Sequence, residues 1–224
     1  MTALRQSPLH DRLLTLQPEW GVHNDMPVVL RVTASDRSIE LCDVSTLHRM
    51  GLKGPCAAEW LALNGVSVPS RANSWRPLDG NGLAARLGRT EFLIEDGWHG
   101  STAPALRTKL GAGIAGVYPV FRQDAALLVR GPCVHELFAQ TCNVDFKSIP
   151  WQERTVMMTM MVGVSVTVVN PSIDSNDHYR IWCDGTYGAY LWDTLLAIAV
   201  ELGGGVADVH SVYQEASGTP AVDA

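Results

Sequence analysis

Apolar and polar positions run along this chain in short blocks, and the blocks come in two matching sets. The extended stretch Met50 to Lys53 ends in Gly54-Pro55-Cys56 and passes into the helix-like run Ala57 to Gly65. A second stretch, Ala126 to Arg130, ends in Gly131-Pro132-Cys133 and passes into Val134 to Thr141, at an offset of 77 residues (131 − 54). Glycine allows the tight turn, and proline suits a first helical position, where no partner waits for its missing N–H. A second pair of blocks follows in the same order. Phe92 to Gly97 and Arg180 to Gly185 each end in Asp-Gly before a helical run, at an offset of 88 (184 − 96), so the second copy is longer in its middle. Repeated order at two places predicts one pseudo-symmetric, internally duplicated fold.

The remaining pattern fills in the two halves. Residues 1–26 read as an extended arm with at most a short helix, punctuated by Pro8 and Pro18. Val28 to Thr33 and Ser38 to Cys42 read as strands, with a turn at Asp43-Val44-Ser45. Val66 to Asn81, with Pro69 and Pro77, reads as a surface loop. Gly82 to Arg86 and Phe92 to Glu95 flank Gly88-Arg89-Thr90 as a hairpin, and Ser101 or Thr102 is placed to cap a helix at Ala103 to Leu110. In the second half Val117 to Arg122 and Ala126 to Arg130 are expected as strands around a turn at Gln123-Asp124. Val156 to Val169 is expected as one long strand, bent or bulged at Gly163, that pairs with His178 to Cys183 beyond a polar tip at 170–177. Its first half is apolar on both faces, which calls for a central place or a partner. Tyr187 to Leu202 is expected as a helix apolar enough to need cover on most sides, from the core or from another subunit. The expected division is an arm (1–26), a first half (27–115), a second half (116–205) and a disordered tail (206–224).

Bulk composition narrows the field of functions. Net charge is −6 with no basic cluster, which argues against nucleic-acid binding as the main job. The cysteines Cys42, Cys56, Cys133, Cys142 and Cys183 are odd in number and lack a C-x-x-C pair, so they read as thiols of a reducing cytoplasm rather than a disulfide frame. Met1 to Asp25 lacks a secretory pattern, and Val156 to Val169 is too short for a membrane span of about 20 residues. The expected location is the cytoplasm.

Catalytic chemistry leaves little mark. The seven histidines are scattered, with no H-x-x-x-H or H-E-x-x-H spacing for a metal. Cys56 and Cys133 stand at helix starts, where a dipole lowers a thiol pKa, yet both occupy the same repeat position and read better as packing residues. No phosphate-loop motif is present. Glu95, Asp96 and Asp184 end strands before helices and read as turn formers and caps. Trp98 and His99 are either exposed loop residues or packing residues. No residue is assigned a catalytic, cofactor-binding or metal-ligating role.

The residues do carry a resemblance. Asp43-Val44-Ser45, Leu52-Lys53-Gly54-Pro55 and Arg86-Leu87-Gly88-x-x-Glu91-Phe92-Leu93 resemble the folate-binding fold of the glycine-cleavage aminomethyltransferase, the T protein. Arg71 to Leu78, Gly82 to Asp96 and Tyr187-Gly188-x-Tyr190-Leu191-Trp192-Asp193 are more similar to the gamma subunit of heterotetrameric sarcosine oxidase. Together with both Gly-Pro repeats they cover roughly residues 40 to 205. The resemblance implies an internally duplicated α+β folate-binding fold with two strand-exchanged α/β halves, without the C-terminal barrel domain of the T protein. It implies a non-catalytic chain in an assembly with alpha, beta and delta subunits, which hold FAD, FMN, NAD, zinc and tetrahydrofolate. Such assemblies oxidatively demethylate sarcosine or a related N-methyl amino acid, and pass the one-carbon unit to tetrahydrofolate or release it as formaldehyde. Where the T protein has an Asp pair before its first hairpin strand, this chain has Gly80-Asn81, and Asn is no charged acid or base. The Lys-Gly-Cys-Tyr-x-Gly-Gln signature of the folate-binding iron–sulfur maintenance proteins is absent. A stand-alone tetrahydrofolate-dependent aminomethyltransferase-like enzyme is the alternative, and it needs Asp79, Asp96 or Asp184 as a buried acid.

Overall fold

The Gly-Pro-Cys repeats are the seams along which the two halves exchange strands. The computed structural model describes residues 5–32, 38–111, 113–172 and 177–213. After α1 (His10–Leu14) come β1 (Glu19–His23), β2 (Met26–Arg31), β3 (Glu40–Asp43), β4 (Arg49–Lys53), α2 (Ala57–Leu63), β5 (Ser74–Leu78), β6 (Gly82–Arg86), β7 (Glu91–Glu95) and α3 (Thr102–Leu110). The second half holds β8 (Tyr118–Val120), β9 (Asp124–Arg130), α4 (Val134–Thr141), β10 (Val156–Met161), β11 (Val164–Val169), β12 (His178–Asp184) and α5 (Gly185–Glu201), followed by β13 (Gly205–Val206) and α6 (Val209–Tyr213). One sheet has the order β5-β6-β7-β4-β8 and the other β10-β11-β12-β9-β3-β13. The two orders correspond strand for strand, except that β8 and β3 have changed places and β13 has no counterpart. The strand before each Gly-Pro strand crosses to the other half's sheet, where β8 pairs with β4 and β3 with β9, all antiparallel.

This crossing explains both glycines. Gly54 and Gly131 have φ of 132° and 125°, and a Cβ on either would meet a carbonyl oxygen of the crossing segment, Gly116 at 2.2 Å or Ser38 at 2.4 Å. The same carbonyls accept the N–H of Cys56 (3.0 Å) and Cys133 (3.1 Å). The prolines sit two positions earlier than expected. Helices α2 and α4 begin at Ala57 and Val134, and Ala57 and Val134 N–H bond back to Gly54 and Gly131 C=O, so each Pro occupies the second position of the entry turn.

The two sheets face each other over an apolar layer that includes Trp75, Leu83, Leu93, Leu128, Val156 and Trp182. Alternate residues point outward to the helices. Leu52, Phe92 and Ile94 pack with Trp60, Leu61 and Leu106 on one side; Leu127, Val129 and Ile181 pack with Leu137, Leu191 and Trp192 on the other. Helix α5 buries the stripe Gly188, Leu191, Trp192, Leu195 and Ala199, while Tyr187, Tyr190 and Val200 on its far side stay exposed. The core thus supplies cover for one face of this helix, not most of it.

Five expectations are corrected. The arm contains β1, which forms a hairpin with β2. The loop at 66–81 contains β5, an edge strand in which Pro77 is tolerated because its missing donor is not needed there. Strands β8 and β9 do not pair with each other but lie in different sheets. The stretch 156–169 is two strands, since Val162 and Gly163 (φ 45° and 83°) form a tight two-residue hairpin turn between Met161 and Val164. The expected tail is also folded through residue 213: β13 pairs in parallel with β3, and Val209, Val212 and Tyr213 are buried. The rest of that tail, 214–224, and part of the polar tip, 173–176, lie outside the described residues.

Candidate functional site

The registers of β4 with β7 and of β12 with β9 bring one carboxylate to the centre of the layer between the sheets. Glu95, at the end of β7, is fully buried and lies opposite Arg49 of β4. Arg49 Nε donates to Glu95 Oε2, Arg180 of β12 donates to Oε1 at 2.5 Å, and Trp182 Nε1 donates to Oε2 at 2.6 Å. Arg49 is held in turn by the carbonyls of Val44 (2.8 Å) and Ser45 (3.3 Å), and Arg180 reaches the Tyr213 hydroxyl at 3.4 Å. Burial alone would raise the Glu95 pKa; Arg49 and Arg180 outweigh it, and the carboxyl is held below its usual range. An ionised carboxylate between two guanidinium groups has its lone pairs committed and no proton to give at neutral pH.

This cluster stands between two hollows. Arg180 lines a cavity of about 320 Å³ between the sheets, with Trp75, Asn81, His178, Val212 and Tyr213. Arg49 lines a wider, polar cleft of about 880 Å³ with His48, Arg107, Arg122, Asp124 and Asp184. The smaller cavity includes Asn81. None of its lining residues is acidic. It offers donors instead: Trp75 Nε1 and Arg180 Nε are buried without a partner among the described residues. Burial, together with Arg180 and Arg130, lowers the His178 pKa to about 4, so this ring is neutral at pH 7. A reduced pterin presents N–H donors along its aminopyrimidinone edge and needs a buried acceptor. The lining of the smaller cavity supplies no carboxylate for such an edge.

The sequence candidates are not brought together. Asp96 is buried, and its two oxygens accept the N–H of Thr102 (3.1 Å) and Ala103 (2.9 Å), so Asp96, rather than Ser101 or Thr102, caps α3. Asp184 is exposed and caps α5 through Thr186 N (2.8 Å) and Oγ1 (2.6 Å), which lowers its pKa. Asp79 is exposed, in the turn before β6. Cys56 is exposed and Cys133 half-buried at the strand-exchange seams. Trp98 is a packing residue, stacked on the His23 ring at 3.7 Å and on Tyr213 at 5.4 Å, and its carbonyl contacts His23 Nε2 at 2.7 Å; His99 is exposed. The residues that sequence reasoning missed are Arg49, Arg180 and Tyr213. Their only signal was two arginines at strand positions in an apolar context. Among the described residues no group of three His, Cys, Asp or Glu side chains is placed to hold a metal ion, and no helix is long and apolar enough to cross a membrane.

No protein-family model matches the chain, and no curated protein matches it in sequence. Solved structures do match in fold. The glycine cleavage system aminomethyltransferase T from Bartonella henselae superposes with a TM-score of 0.68 at 13% identity, over 92% of this chain and 60% of that one. This chain therefore spans about 60% of the length of that T protein. One chain of the heterotetrameric sarcosine oxidase from Corynebacterium sp. U-96 superposes with a TM-score of 0.64 at 18% identity, over 90% of this chain and 97% of that one. The fold is aminomethyltransferase-like, and the matching sarcosine oxidase chain is close to this one in size.

Proposed function

We propose that this chain is a non-catalytic, gamma-type subunit of a cytoplasmic, multi-subunit, flavin-dependent oxidase or dehydrogenase. The complex demethylates sarcosine or a related N-methyl amino acid and passes the one-carbon unit to tetrahydrofolate or releases it as formaldehyde. FAD, FMN, NAD, zinc and tetrahydrofolate belong to its alpha, beta and delta partners. The observation that carries this reading is the state of Glu95: the one carboxylate at the centre of the fold is bound on both sides by Arg49 and Arg180. The near-complete coverage of a sarcosine oxidase chain supports the same reading. The test is to isolate the tagged full chain from its native cells and measure native mass and flavin content. The expected result is a complex of fixed stoichiometry with flavin absorbance on other polypeptides. A chain that leaves the cell alone, or carries flavin itself, contradicts the proposal.

The second reading, a stand-alone tetrahydrofolate-dependent enzyme, draws on Asp124 of the wider cleft, whose Oδ2 is a buried acceptor without a hydrogen-bond partner among the described residues. It predicts tetrahydrofolate binding by the isolated chain.

A further inference from the structure

Strand β10 is the outer strand of its sheet, and among the described residues no strand lies beyond it. Its two ends are closed. Val156 N–H donates outward to Asn73 C=O at 2.9 Å, and Val162 N–H donates outward to Thr141 C=O at 2.8 Å. Hydrogen-bonding direction alternates along an antiparallel strand, so Met158 and Met160 also direct their N–H and C=O groups outward, into the gap between Asn73 and Thr141. That gap spans six residue steps, about 20 Å at about 3.4 Å per residue. Met158 and Met160 are also 49% and 56% exposed, on one face of the strand. The hairpin tip beside the gap is pinned, because Val162 C=O accepts the Tyr190 hydroxyl at 3.2 Å.

Natural proteins blunt a free edge with charge, proline or a bulge. This edge has none of these between Val156 and Met161; it carries three methionines and one threonine there, and methionine adapts to whatever it packs against. We propose that β10 is a docking edge at which an extended, apolar segment of a partner polypeptide, about four residues long, adds to the sheet between Asn73 and Thr141. This rests on the reading of the chain as a subunit and names the surface through which it joins. A second copy does not fit the slot. Antiparallel pairing of two β10 strands would drive the second strand into the places that Asn73 and Thr141 hold, and would bring a second Asn73 and Thr141 into the same gap. A single extended segment meets no such obstacle, and pairs through backbone bonds with apolar side chains opposite Met158 and Met160.

Amide hydrogen exchange, followed in the isolated full chain and in the flavin-bearing complex purified from native cells, tests this. Met158 and Met160 amides are expected to exchange freely in the isolated chain and at least about tenfold more slowly in the complex, while the Thr159 amide is protected in both. Met160→Pro removes an outward donor without touching the β10–β11 ladder, and is expected to weaken association about tenfold or more. The double variant Met158→Lys/Met160→Lys, which keeps every backbone group, is expected to do the same and covers the case in which the proline variant misfolds. Edge amides already protected in the isolated chain would mean that a second copy or residues 214–224 occupy the gap, and would overturn the proposal. A complex with edge amides still exchanging freely overturns the docking edge and leaves the subunit reading standing. If no flavin-bearing complex forms, both fall.

Discussion

The two halves differ most at the place where duplication should make them alike. Arg49 and Ala126 each lie five residues before a Gly-Pro turn, and their partners on the neighbouring strand are Glu95 and Trp182. One half thus has an ion pair at the centre of its sheet, and the other has an alanine and an indole. The two centres meet, since Trp182 donates to Glu95 and Arg180 from the second half completes the charge balance. The asymmetric centre gives each half a different partner to recognise. The cost is that the carboxylate, once bound by both arginines, is no longer free for other work.

The largest test of this contrast is to break one side of it. Glu95→Gln leaves two buried guanidinium groups without a counter-charge, and is expected to lower stability in urea unfolding by about 3–5 kcal/mol. Making the whole centre apolar, with Arg49→Met and Glu95→Leu in the first half and Arg180→Met in the second together, is expected to recover most of that loss. Failure to recover would show that the cluster does more than fix the pairing. Next come the seams, where the halves are alike. Gly54→Ala and Gly131→Ala each force a Cβ onto a carbonyl at a strained φ, and each is expected to cost about 3 kcal/mol, equal within about 1 kcal/mol. A large inequality would mean that one strand exchange matters more than the other.

A third test uses pH. By register, His178 opposite Arg130 in the second half corresponds to Glu91 opposite Lys53 in the first. The folded pKa of His178 is depressed to about 4, so its contribution to stability is fully present above its unfolded value near 6.5 and is lost as pH falls through about 4. The size is on the order of 2–3 kcal/mol. Glu95, also depressed, adds a further loss only below its unfolded value near about 4.3. His178→Gln should therefore make the stability curve less steep between pH 6.5 and about 4, where burial also lowers the pKa values of His23, His48 and His135, and leave the fall below it unchanged. The smallest contrast lies in the caps. Asp96→Asn, buried and bonded to two N–H groups, should cost about 1–2 kcal/mol in thermal unfolding, and Asp184→Asn, exposed on α5, should cost less.

Local chemistry was legible in the sequence and long-range pairing was not. Gly54, Gly131 and the β6–β7 hairpin announce themselves through turn residues and alternation. The stripe of α5 follows from helical spacing, though its exposed Tyr187 and Tyr190 do not. The crossing of β3 and β8 leaves no local mark, because each strand looks the same whichever sheet receives it. Trp75-Arg76-Pro77 resembles a loop because edge strands accept proline. Val162-Gly163 was hidden as a turn because a β-branched residue rarely takes positive φ. Glu95 was visible as a strand-end acid, but its partners lie 46 and 85 positions away, and nothing near it in sequence marks it as paired.

The measurement that bears most directly on the committed state of Glu95 is calorimetric titration of the isolated full chain with tetrahydrofolate at neutral pH. With the central carboxylate bound by Arg49 and Arg180 and no acid lining the smaller cavity, the expected result is no saturable heat. A tight one-to-one isotherm that is abolished by Glu95→Gln in a still-folded variant would contradict the account.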